Sequence, residues 1–179
     1  MAGALYRVRQ FLWAARARPL DGDELQLAQA HLPPAALDLF RRMPPGDQRH
    51  SLVILRGLLA RGYTGEPLLQ AALLHDAAKA PIGLWQRSVV VLLNAVSRGT
   101  LPRLASPDPR SWRYPFYLSV NHPELGALAA ERAGVDPRAV ILIREHQDKP
   151  DGGNRSDARQ WDPELEEWHQ ALKALDDKT

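Results

Sequence analysis

The chain contains no cysteine, which excludes disulfides, zinc–thiolate sites and thiol nucleophiles. Any metal it holds must be bound by histidine and carboxylate. It also lacks a long apolar run: the most hydrophobic stretch, Val89 to Val96, falls far short of the roughly 20 residues that span a bilayer. Near the start, Arg7, Arg9, Arg16 and Arg18 leave no uncharged stretch long enough for a signal-peptide core. The expectation is a cytoplasmic protein. A strong charge of one sign is missing too, and a net charge of +2 gives no argument for nucleic-acid binding. No repeat, low-complexity segment or sustained period-2 alternation is present, so nothing reads as a strand.

What is present is apolar periodicity of helical spacing through 179 residues, enough for one domain with a sizeable core. Proline and glycine punctuate it. Pro19, Pro33-Pro34 and Pro44-Pro45-Gly46 read as breaks in the first 46 residues. Helices are then expected over 50–61, 66–79, 82–97, 123–133, 137–147 and 163–176. Three of these place proline at or near the first helical position, where its missing N–H costs nothing. Two long loops remain, 99–121 and 149–162, and loops of that length often serve as lids or binding loops.

The helix Glu66 to Lys79 is apolar from Leu68 to Leu74 except at Gln70, and so is expected to be surrounded by protein. His75 and Asp76 follow side by side. A buried carboxylate must be ion-paired, hydrogen-bonded or metal-bound. Lys79 lies on the same face, so a structural Asp76–Lys79 pair beside a core histidine is one reading and a metal site the other. His50 sits near a helix start, His122 precedes Pro123 at what reads as a helix N-terminus, and His146 ends the apolar helix that contains Ala139 to Ile143. In the last helix Leu165, Trp168, Leu172 and Leu175 form a stripe at spacings of 3, 4 and 3. Asp176 borders that stripe, whereas Asp177 points about 100° further round. His31 and His169 read as surface or packing residues.

The order His50 … His75-Asp76 … His122 … His146 … Asp176 resembles the HD-domain superfamily of metal-dependent phosphohydrolases. So do the phrases Arg49-His50-Ser51, Ala72-Leu-Leu-His75-Asp76-Ala-Ala-Lys79, His122-Pro-Glu-Leu-Gly126-Ala127 and Ala174-Leu-Asp176-Asp177. The resemblance implies an all-α, HD-domain-like helical bundle over 48–179, with an insertion at about 80–121. Residues 1–47 would be a helical extension packed on the core. It further implies that His50, His75, Asp76 and Asp176 hold one divalent ion, and that Asp76 bridges to a second held by His122 and His146. Iron, manganese, nickel, cobalt or zinc would suit these ligands. In such enzymes a metal-bridged hydroxide attacks phosphorus in a phosphate ester or anhydride. Asp76 and Lys79 would be the catalytic residues, and Arg49, Arg113 and Lys149 would hold a small anionic substrate such as a nucleotide.

The spacing in the latter half also resembles HD-type diadenosine tetraphosphate hydrolases. Two rivals carry the same ligand logic: mixed-valent di-iron oxygenases resembling myo-inositol oxygenase, and a non-catalytic nucleotide-binding module. The chain departs from many two-metal cyclic-dinucleotide phosphodiesterases in having Gln147 where a second histidine would stand, and the cyclic-di-GMP signature is absent. Between Pro81 and Asn121 five arginines face one acid, Asp108. That is either a basic wall for an anion or a solvated surface. Trp112, Tyr114, Phe116 and Tyr117 in the same segment could stack a base or fold onto the core.

Overall fold

The computed structural model describes residues 17–79, 81–83, 86, 89–90, 93, 100–147 and 161–178. The fold is all-helical, with no strand among the described residues. Helices α1 (Gly22–Gln29), α2 (Pro34–Arg41), α3 (Pro45–Leu59) and α4 (Glu66–Leu74) come first. A 3-10 turn (Ala77–Lys79) follows, then α5 (Thr100–Leu104), α6 (Tyr114–Arg132), α7 (Pro137–Glu145) and α8 (Pro163–Asp176). None of the described helices is long and apolar enough to cross a membrane.

Local chemistry sets the ends. Asp21 and Glu24 form a reciprocal capping box at the start of α1. Proline opens α2, α3, α7 and α8. The proline pairs read as breaks are therefore helix starts: α3 begins at Pro45, and His50 lies in its second turn. At the far end of α6, Gly134 adopts φ 75°. Its N–H bonds the Glu131 carbonyl while the Val135 N–H reaches back to Ala130.

Helix α4 is the axis of the core. Leu68, Leu69, Ala71, Ala72, Leu73 and Leu74 are all buried, and from Leu68 to Leu74 only Gln70 is partly exposed. It packs among α2, α3, α7 and α8, and the 3-10 turn lies against α6. Two glycines permit the close approaches. A Cβ on Gly126 would sit 3.4 Å from Ile143 and 3.8 Å from Ala78, and one on Gly65 would meet the Trp168 ring at 2.3 Å. Leu32, Leu37, Phe40 and Met43 from the first 47 residues belong to this same core. Residues 1–16 of the expected extension lie outside the described residues.

Two expectations fail here. Residues 99–121 do not form one long loop: α5 and the first half of α6 occupy much of the segment. Leu101, Phe116 and Val90 build a small second core there, with Val89, Leu93 and Leu104 packed on it. Likewise α6 does not start at Pro123, which lies inside the helix. An interior proline costs about 3 kcal/mol, which is why the sequence reads as a boundary. Most of the expected helix over 82–97 and the loop over 149–162 fall outside the described residues.

Candidate metal centre

Five separate helices deliver the six residues. His50 projects from α3, His75 and Asp76 follow the last turn of α4, His122 lies mid-way along α6, His146 caps α7, and Asp176 ends α8. The apolar phase of each helix does the aiming. On α8 the buried residues Leu165, Trp168 and Leu172 turn one face to the core. Asp176 then comes to 3.0 Å from His50 Nε2, while Asp177 stays exposed beside Lys173 at 3.4 Å. His75, His122 and His146 are buried.

The side chains meet in two groups, His50–His75–Asp176 and Asp76–His122–His146, each with its ligand atoms within 4.8 Å of one another. Asp76 Oδ1 stands 3.6 Å from His122 Nε2, 3.7 Å from His146 Nε2 and 3.8 Å from His75 Nε2. It therefore faces both groups. His75 Nε2 is 3.6 Å from Asp176 Oδ1, and His122 Nε2 is 3.3 Å from His146 Nε2. Ligands each about 2.1 Å from one ion stand roughly 3.0–3.5 Å apart, so most of these spacings are close to those around a shared cation.

Proton positions make the argument sharper. A carbonyl can only accept, so a ring nitrogen bonded to one must carry a hydrogen. Nδ1 of His75 donates to Ala72 O at 3.1 Å, that of His122 to Ser119 O at 2.7 Å, and that of His146 to Ile143 O at 2.7 Å. In a neutral ring the Nε2 of each is then a bare lone pair. His122 and His146 thus point lone pairs at each other and at a carboxylate. Buried His75 Nε2 has no hydrogen bond among the described residues, and Asp76 Oδ1 has the Lys79 ammonium at 2.8 Å beside it. One ammonium at the edge leaves the Nε2 lone pairs of the three rings without a donor, a costly arrangement unless a cation is shared among them.

Electrostatics agree. Burial, aided by Lys79, pushes His122 down to about 2, and burial likewise lowers His146, so both rings are neutral. For His75 burial works downward, yet Asp76 and Asp176 outweigh it and raise its pKa. Burial alone would raise Asp76, but Lys79 and the histidines hold it well below the carboxylate range; Asp176 is lowered against burial by His50 and His75. Both carboxylates are thus held in the ionised form, able to pair with a cation. These donors fit divalent ions that accept imidazole and carboxylate.

Lys79 Nζ lies 2.8 Å from Asp76 Oδ1, at the edge of the cluster. Both expected substrate arginines make backbone contacts away from the cluster. Arg49 donates to the carbonyls of Arg18 and Pro19 and pairs with Glu24 at 2.9 Å, fastening the segment before α1 to α3. Arg113 donates to Leu104 O at 2.6 Å and Arg103 O at 2.9 Å, capping the C-terminus of α5. Lys149 lies outside the described residues. Of the aromatic group, Phe116 is buried, Tyr114 and Tyr117 stack on each other, and Trp112 is exposed. His31 pairs with Glu66 on the surface.

His169, read as a surface or packing residue, is buried, bonds the Glu145 carbonyl at 2.7 Å and so braces the turn that carries His146. Its place four residues after Leu165, on the apolar face, is the signal for that contact. Neither a family model, nor a curated protein, nor a solved structure matches the chain.

Proposed function

We propose that this chain is a metal-dependent phosphohydrolase that cleaves a phosphate ester or anhydride, a nucleotide or phosphodiester being the expected substrate. One observation carries the reading: three imidazoles, each bonded through Nδ1 to a backbone carbonyl so as to present Nε2, converge with His50 on two carboxylates in two groups of metal-ligand spacing. Asp76 faces both ligand groups, which supports a dinuclear centre. Two divalent ions held there would supply Lewis acidity and a nucleophile at neutral pH.

The chain's own residues support the rest. His50 and Asp176 are about a fifth exposed, at 20% and 21%, whereas the histidines of the other group are enclosed. Substrate therefore approaches from the His50–Asp176 side. Lys79 places an ammonium beside Asp76, where it can neutralise charge that develops on phosphoryl oxygens. The ordered ligand set of the HD superfamily agrees with this chemistry.

The test is metal analysis of protein purified without chelator, followed by a screen of nucleotides and phosphodiesters for phosphate release. Nearly two ions per chain and metal-dependent hydrolysis are expected, with both lost in a folded Asp76→Ala variant. Full metal content in that variant would refute the assignment. Bound iron with oxygen consumption and no hydrolysis would point instead to an oxygenase.

A further inference from the structure

We infer that Pro123 is a positioning residue for the metal centre, acting through the Ser119 carbonyl to fix the tautomer of His122. The inference rests on the metal-centre reading above. His75 and His146 each sit just past a helix end, where the last carbonyls lack intrahelical donors. Each ring takes up the carbonyl three residues back. His122 makes the same bond, to Ser119 O at 2.7 Å. It has no helix end to exploit, because α6 continues to Arg132.

The free carbonyl has to be made. In an unbroken helix Ser119 O would accept from the N–H of residue 123. Proline has none, and its ring crowds that carbonyl out of line. The residue that breaks the rule for helix interiors thus stands next to the one ligand that needs the rule broken. Local violations of this kind are expected where a site demands them. With Nδ1–H committed to Ser119, the Nε2 of His122 faces His146 and Asp76 as an acceptor. An alanine at 123 would offer its own N–H to Ser119 O, pull that carbonyl back toward the helix axis, and free His122 to carry its proton on Nε2. A ring in that form cannot ligate through Nε2.

The experiment pairs long-range nitrogen–proton NMR of the imidazoles in chelator-treated protein with zinc titration, for wild type and Pro123→Ala. The wild type should show His122 as the Nδ1–H tautomer and bind two zinc ions. Pro123→Ala should populate the Nε2–H form and bind the second zinc about 10–100-fold more weakly, the usual loss when an outer partner of a ligand is removed. Its first zinc affinity should be unchanged and its thermal midpoint equal or higher, since an interior proline has gone. A merely structural proline would not move the tautomer. An Nε2–H tautomer in the wild type would overturn the inference without recourse to any variant. So would a Pro123→Ala protein with unchanged tautomer and zinc affinity, while leaving the metal centre intact. A wild type that shows Nδ1–H yet takes up no second zinc would instead defeat the dinuclear reading, and the positioning role with it.

Discussion

Acid should destabilise the metal-free protein through His122 well before its carboxylates titrate. In the fold this ring is buried and its pKa is pushed down to about 2 by burial and by Lys79; in the unfolded chain it titrates near 6.5. The unfolded state therefore binds the extra proton, and stability falls as pH drops below about 6.5, continuing until the folded value is reached. At about pH 5 the unfolded imidazole is almost fully protonated and the folded one is not. The resulting loss, relative to about pH 7.5, is roughly 2 kcal/mol.

That figure depends on the unfolded value alone, because the folded one lies far below pH 5. His146 shifts in the same direction, whereas the raised His75 contributes stability that is present at low pH and lost as pH rises. A comparison with His122→Asn isolates one ring from these opposing terms. Urea unfolding of chelator-treated protein at about pH 7.5 and about pH 5 should show wild type losing about 2 kcal/mol more than the variant. Equal losses would mean that His122 is charged or solvated in the fold, and the argument for converging lone pairs would collapse.

Removing Asp177 should leave metal content and activity near normal, while Asp176→Ala abolishes one bound ion and the activity; elemental analysis and the hydrolysis assay decide, and reversed effects would show the helix phase to be wrong. Gly65→Ala should destabilise by about 1–3 kcal/mol in urea unfolding, because its Cβ would overlap the Trp168 ring. Arg113→Ala should cost about 1–2 kcal/mol through the freed carbonyls of α5, with metal content and KM unchanged. A raised KM at wild-type stability would restore the anion-binding role expected from sequence.

The ligand residues were legible because each interrupts or borders an apolar helical stripe. Polar groups at such positions need partners, and the geometry brings all six together. Asp176 could be separated from Asp177 by phase alone, since α8 has an unambiguous buried face. Proline misled the reading in both directions. Pro45 begins a helix where a break was expected, and Pro123 sits inside one where a start was expected, because the sequence shows only that an N–H is missing and not whether the carbonyl four residues back finds another donor. The partners of the arginines were not legible for a related reason: their charge is visible in sequence, but the carbonyls at the end of α5 and before α1 that engage Arg113 and Arg49 exist only once those segments are folded.

His50 and Asp176 are 126 positions apart in the chain yet 3.0 Å apart in space. An ion gripped between them would close almost the whole domain into a loop, much as a cross-link does, and its binding energy would count toward holding α8 down. Ribosomal synthesis delivers that last acid only after every other ligand has emerged. Loading of the His50–His75–Asp176 group would thus wait for α8, and chelation there would be felt first at α8. Proteases should then distinguish loaded from stripped protein by how readily they nick the α8 end, long before the core at α4 opens.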